Sequence, residues 1–407
     1  MSRIVFRGGR VFDGSGAPLG DGDVAIQDGR IVDVGPGLDG DEAVECAGKA
    51  LLPGLFDCHV HLAFRHEDLD ELAVLHRPFS YGFFAIPETL RMTLALGITS
   101  VRDASGADAG LRQAVDDGLL VGPRMQVSVN MLSMTGGHND DWLPSGGRSW
   151  ALEYPGMPIG VCDGVDGVTR KVREMIRAGA DVIKIASSGG FLSSSDDPRQ
   201  PNFSQGEVDA IVRTAADLGR WVMSHAHGAE GIKRAIRAGV RSIDHGTYLD
   251  DEAVAMMADA GTWLVPTLTA ADADEEVLEH PGVSDAVKAK YREQLGGHPE
   301  RAAFRLAAEA GVRVAMGTDC PVAPHGTNLR ELELMAENGF TPEQALHAAT
   351  GSAAELMGWA ERHGTLEPGK VADLVVVDGD PFAFSTLKDR IEQVWKDGAR
   401  VVPFASP

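Results

Sequence analysis

Four histidines and one aspartate in this chain stand at the ends of short apolar runs. "LLPGLFDCHVH" ends in His59 and His61, "RWVMSHA" reaches His225, "VRSIDHG" reaches His245, and "VRVAMGTD" ends in Asp319. Side chains alternate faces along an extended chain, so the His59-Val60-His61 spacing aims both imidazoles to one side. Imidazole nitrogen and carboxylate oxygen are donors that zinc and related divalent cations accept. A single histidine at such a place is more often structural than a ligand. Four of them with an aspartate, all at strand ends, point to a metal centre.

A lysine raises a second question. "DVIKIASSGG" (181–190) puts Lys184 inside an otherwise apolar, β-branched run, and an unpaired buried ammonium is costly. Val182, Lys184 and Ala186 share one face of an extended segment, with Ile183 and Ile185 on the other. If the isoleucines pack on outer helices, the amine faces the histidines. There an ammonium would repel cations, but burial lowers a lysine's pKa and can leave a neutral, nucleophilic amine. Addition of carbon dioxide makes that amine a carbamate, whose two oxygens can bridge two cations. The alternative is a lysine that reaches past the strand end to a carboxylate, and the residues alone leave both open.

The elements that must position these groups follow one local pattern. An Ala-rich amphipathic helix, a glycine and a short apolar strand recur in "LALGITSVRD", "MIRAGADVIKIA", "AADLGRWVMSHA", "AIRAGVRSIDHG", "MADAGTWLVPTL" and "AAEAGVRVAMGTD". Gly97, Gly179, Gly219, Gly239, Gly261 and Gly311 fall where a helix needs a left-handed residue after its last turn. With "LLPGLFDCHVH" and "RMQVSVN" this predicts eight strands alternating with helices, an α/β (β/α)8 TIM barrel over 53–362. An open doubly wound sheet fits the same alternation, but no Gly-rich phosphate fingerprint follows the first strand. Residues 1–52 and 363–407 read as short strands with Asp-Gly hairpin turns. We expect them to pair into one small β-sandwich domain built from both termini. Residues 270–300 are an acidic, mostly helical insertion, expected to act as a lid or an oligomer contact.

Composition narrows the partners. The 407-residue chain carries a formal charge of -23, which opposes nucleic-acid binding. The four cysteines lack paired short spacing, and no run approaches 18 apolar residues. The expectation is a cytoplasmic protein with reduced cysteines, no membrane contact and a small-molecule substrate.

At these residues the sequence resembles the metal-dependent amidohydrolase superfamily. The resemblance spans the chain, through "PGLFDCHVH" (53–61), "HAHG", "DHG", "GTD" and "HGTLEPGKVADLVVVDGDP" (363–381). It implies a barrel with a flanking β-sandwich, and two divalent metal ions, most often zinc. His59, His61 and Asp319 match the ligands of the buried metal, His225 and His245 those of a more exposed one, and Lys184 the carboxylated lysine that bridges them. "VIKIASSGGFLSSSDDP" (182–198), "NFSQGEVDAIV" (202–212) and "LSMTGGHND" (132–140) are similar to the imidazolonepropionase-like and Xaa-Pro dipeptidase branch. There the histidine matching His138 faces substrate and stabilises the scissile group. The family often forms homo-oligomers.

These readings imply a hydrolase of C–N bonds in dipeptides, N-acyl amino acids or related amides. A hydroxide held between the metals attacks the carbonyl, Asp319 shuttles the proton to the departing nitrogen, and His138 stabilises the oxyanion. Tyr248 and His227 are candidate substrate contacts; for Tyr248 a structural role, and for His227 simple capping, compete. Arg199 reads as a solvated surface residue. Cyclic amides, carbamates, esters or lactones are the alternative substrates, and a non-catalytic scaffold would be expected to have lost ligands. "NDDWLPSGG" (139–147) departs from the resemblance and leaves the substrate open.

Overall fold

The computed structural model describes residues 2–140, 142, 154–193, 196–295 and 297–404; most of "NDDWLPSGG" lies outside them. Seven short strands carry the middle of the chain: β1 (Leu55–Val60), β2 (Ile98–Asp103), β3 (Arg124–Val127), β4 (Ile183–Ala186), β5 (Val222–Ala226), β6 (Ser242–His245) and β7 (Trp263–Val265). β1 to β3, and β4 to β7, pair in chain order and in parallel. Apart from Arg124 every residue in them is buried, as parallel strands covered on both faces require. Between β3 and β4 the chain kinks at Val129, φ +68°, and Met131–Leu132 then pairs with Lys184 and Ile185.

The eighth expected strand, residues 313–320, is irregular. It makes only single parallel bridges, Val314 with Leu264 and Cys320 with Val60. Its backbone is nevertheless bonded on both sides. Arg313 O accepts from Leu264 N, Met316 O from Cys58 N, and Cys320 O from His61 N. Hydrogen bonds thus run from β7 through this segment back to β1, while β3 meets the chain just ahead of β4 where Asp181 N donates to the Val127 carbonyl. Two local facts break the ladder: a side chain at Gly317 would collide with Val265 and His59, and Asp319 has φ +59°.

Helices follow the strands as the pattern requires. Ala229–Ala238 buries Ile232, Ala235 and Ile236 and ends on Gly239 at φ +90°. Asp251–Ala260 is capped by the Asp250 side chain on Ala253 N and stops at Gly261, φ +66°. No helix among the described residues is long and apolar enough to cross a membrane. All four cysteines are free and buried.

Strands from the two ends share one sheet. Leu374–Asp378 runs antiparallel to Lys49–Pro53, which joins Ile4–Val11 and its hairpin partners to Ile391–Lys396 and Ala399–Val402. The hairpin turns at Asp28-Gly29 and Asp397-Gly398 have positive φ at both central residues, as two-residue primed turns demand. Phe6 and Trp395 stand three ladder steps apart yet meet edge-on at 5.1 Å, so the sheet folds over an apolar interior.

The insertion is helical: Leu268–Asp272, Asp274–Glu279 and Asp285–Leu295 precede Pro299–Glu309. Val277, Val287 and Tyr291 pack with Leu69, Phe191 and Val322, residues that follow β1, β4 and the eighth segment. It therefore lies over the strand ends that carry the histidines.

Candidate metal centre

β1 and the eighth segment build the first cluster. Asp319 Oδ1 lies 3.2 Å from His59 Nε2 and 3.1 Å from His61 Nε2. The second nitrogen of each imidazole is held from behind, His59 Nδ1 by Asp244 Oδ2 at 2.7 Å and His61 Nδ1 by the Ser105 carbonyl at 2.9 Å. A ring nitrogen occupied in this way fixes the tautomer and leaves the other with a lone pair for a cation. Burial would raise the Asp319 carboxyl, but His59 and His61 outweigh it and hold Asp319 well below the usual carboxylate range.

The ends of β5 and β6 build the second. Ligand atoms of His225, His227 and His245 lie within 4.8 Å of one another, as do those of His59, His61 and Asp319. His227 Nδ1 meets Thr247 Oγ1 at 2.7 Å, and His245 Nδ1 meets Thr267 Oγ1 at 2.8 Å. His227 thus belongs with His225 and His245, closer to the cation donors than a role at the strand cap implied. Burial and the neighbouring imidazoles push His225 and His245 well below the ordinary histidine value, and His227 down to about 3. Neutral imidazoles are the form that binds metal.

Three residues here pay a backbone cost. His245, Thr267 and Asp319 have φ of +76°, +50° and +59°, and such conformations cost about 1–3 kcal/mol each for residues with a side chain. At His245 the consequence is direct: the chain turns over the barrel end, so both Asp244 and His245 project inward instead of alternating.

Lys184 is buried between the clusters, its Nζ 3.3 Å from His59 Nε2 and 3.6 Å from Asp244 Oδ2. Ile183 and Ile185 pack in the main core on the opposite face, as the alternation predicted. Burial pushes the Lys184 amine down to about 8, against the pull of Asp244 and Asp319. Beneath it Arg102, fully buried, donates to both Asp244 oxygens at 3.2 and 3.3 Å and to the Cys58 carbonyl. Burial alone would raise Asp244, but Arg102 and Lys184 hold it well below the carboxylate range. Sequence reading missed Asp244, Arg102, Thr247 and Thr267. The one available signal was Ser242 and Asp244, polar residues two apart in a buried strand.

A cleft opens above, lined by His138, Phe191 and Tyr291 over His225, His245 and Asp319. The His138 ring stacks on His225, centroids 4.1 Å apart. Tyr248 packs with the insertion's apolar cluster, and the Arg199 guanidinium lies over its ring at 4.5 Å. Arg199 also pairs with Glu293 at 2.9 Å, so it is anchored and not simply solvated.

The residues suit divalent cations. His245 Nε2 is buried with no hydrogen-bond partner among the described residues, an atom that desolvation penalises unless a ligand meets it. Imidazole nitrogens and an ionised aspartate make up the set.

Comparison with known proteins agrees with this geometry. The amidohydrolase family pattern matches residues 50–403. Ochratoxinase from Aspergillus niger is 33% identical over 97% of this chain and 85% of its own length. Imidazolonepropionase from Acidiphilium cryptum is 30% identical over 87% of this chain and 86% of its own. The crystal structure of a Xaa-Pro dipeptidase with methionine bound in its active site superposes with a TM-score of 0.88 at 34% identity, over 98% of this chain and 99% of that one. Strand-end clusters and likeness along almost the full sequence have one explanation: this chain belongs to the amidohydrolase family and is a hydrolase of that metal-dependent group.

Proposed function

We propose that this enzyme hydrolyses the C–N bond of small amides, dipeptides and N-acyl amino acids first among them, with two divalent cations, best matched by zinc. One observation carries the reading: a buried lysine amine stands 3.3 Å from His59 of one three-residue donor cluster, and the His59 ring lies 4.9 Å from His245 of the other. His59, His61 and Asp319 would hold one cation, and His225 and His245 the other. Lys184, carboxylated by carbon dioxide, would join them; its nitrogen forms a bond to the carbon of CO2 and loses one proton, leaving an anionic carbamate. Cations held there supply Lewis acidity, polarising a carbonyl and lowering the pKa of water.

The chain's own groups do the rest. Asp319 takes a proton from the attacking water and returns it to the departing nitrogen as the C–N bond breaks. His138 lines the cleft, where it would meet the scissile group. His227, which lines the cleft, would meet the substrate, and Tyr248 would reach it from the loop after β6. The insertion limits water entry from above. Likeness to a dipeptidase that holds methionine favours an amino acid on one side of the scissile amide.

The test joins metal analysis to a substrate library. Two zinc ions per chain, loss of activity in Lys184→Ala, and turnover of dipeptides or N-acyl amino acids are expected. At most one metal with a fully active Lys184→Ala overturns the two-cation site. Silence across both libraries, beside turnover of lactones, carbamates or imidazolonepropionate, replaces the substrate class.

A further inference from the structure

We propose that Lys290, on the insertion helix Asp285–Leu295, is a positioning residue for His138, acting through Asp196 and Ser193. The inference rests on the reading of His138 as a group that meets substrate. His138 comes from the loop after β3, far in sequence from the insertion, and three contacts connect them. His138 Nδ1 lies 3.1 Å from Ser193 Oγ. The Ser193 hydroxyl donates to Asp196 Oδ1. Lys290 Nζ donates to the same Asp196 oxygen at 3.3 Å, and to the carbonyls of Gly190 and Ser193 at 2.8 and 2.6 Å.

The donor inventory orients this chain of groups. Ser193 has one hydroxyl proton, and its nearer acceptor is Asp196; the Gly190 carbonyl is farther, at 3.4 Å. The oxygen is then left to accept from His138, which makes Nδ1 the protonated nitrogen and leaves Nε2 as the ring atom turned from Ser193. Asp196 is itself fixed, its side chain 4% exposed and its Oδ2 accepting from Gly190 N at 3.2 Å. Removing the Lys290 ammonium takes away three hydrogen bonds at once from the loop that seats the ring.

The same helix grips that loop beside Lys290. The Tyr291 ring meets Phe191 with centroids 5.5 Å apart. One turn on, Glu293 pairs with Arg199 at 2.9 Å. Residues 290, 291 and 293 therefore hold Gly190, Phe191, Ser193, Asp196 and Arg199, and Lys290 is the member whose contacts reach His138. This gives the insertion a task beyond covering the cleft: it sets the direction of a side chain inside it.

The experiment is a double-mutant cycle with a spectroscopic arm on zinc-loaded, full-length protein. Lys290→Met is expected to lower kcat about 10- to 100-fold, as a misdirected group does, with KM and zinc content little changed and a lower melting temperature, because Asp196 loses its buried partner. In a His138→Asn background the same change should cost less than about 2-fold, because the group it positions is gone. Equal losses in both backgrounds, or no loss in the first, overturn the proposal. Long-range proton–nitrogen spectra of histidine-labelled protein should show His138 protonated at Nδ1, and mixed tautomers in Lys290→Met and in Asp196→Asn. An unchanged tautomer in both variants also overturns it. This arm decides even if no amide is turned over, so failure of the substrate reading and failure of the positioning role are separable.

Discussion

Gly190→Ala isolates the place of one ring. Gly190 is outside the left-handed region, so its backbone does not call for glycine. Its neighbour does: a Cβ there would stand 2.1 Å from His138 Cε1, 2.2 Å from Nδ1 and 2.7 Å from Nε2. Carbon atoms settle at about 3.5 Å or more, so the ring must retreat by roughly 1.4 Å. It cannot do so while keeping both the Ser193 bond and the stack on His225. A displacement of about 1 Å at a reacting centre costs about 100-fold in rate, or about 2.7 kcal/mol of transition-state stabilisation. The overpacking cost to folding is about 1–3 kcal/mol, since a side chain and not the backbone yields. The assay is kcat/KM on the best N-acyl amino acid or dipeptide, with zinc content and melting temperature on the same preparation. The expected result is two metals, a modestly lower melting temperature and a loss of about 100-fold. Activity within about 3-fold of wild type, with the ring shown to have moved, would refute the role given to His138.

Other outcomes follow from buried charge. Arg102→Met leaves Asp244 without its main counter-charge, and calorimetry should report about 3–5 kcal/mol of lost stability; a neutral result means Lys184 and His59 suffice. Asp373 joins the terminal sheet to β3: burial raises its carboxyl, but the His363 bond and Arg124 outweigh that and bring it down from 3.8 to about 2. A depressed carboxyl stabilises fully above about pH 4 and loses that contribution as pH falls toward 2, worth about 2 kcal/mol. Asp373→Asn should lose this at neutral pH and flatten the acid limb of a melting-temperature profile. Metal-free enzyme given zinc in CO2-free buffer should regain activity slowly, and bicarbonate should speed recovery in wild type; equal recovery with and without bicarbonate contradicts the carbamate.

Strand ends were legible because they combine two simple signals, an apolar run and an abrupt polar stop. That pattern located His59, His61, His225, His245 and Asp319, and alternation placed Lys184 on the inner face. The six helix-ending glycines were legible for the same reason: all have φ between +66° and +100°. Asp244 was not, because alternation turns it away from the face of His245, and only the positive φ at His245 lets both face inward. Arg102 reads as a surface residue until its partner is known, since a buried guanidinium depends on an aspartate 142 residues away. The eighth strand's irregularity comes from close approach of Gly317 to β1 and β7, a tertiary constraint without local signature. The network at Ser193, Asp196 and Lys290 joins loops whose relative placement no periodicity encodes.

The shared terminal sheet has a consequence for synthesis. Leu52 finds its ladder partner in Val375, so the strand that immediately precedes β1 waits until more than three hundred further residues have left the ribosome. At about 5–20 residues per second that delay is tens of seconds. Throughout it, Ala50, Leu51 and Leu52, all buried in the finished protein, offer an open apolar edge to whatever is near. The nascent barrel must either assemble beside a strand paired on one edge only or be shielded by a chaperone until Leu374–Asp378 emerges. The C-terminal strands of the sheet thus act as a completion signal: β1 gains its full support only once they have emerged.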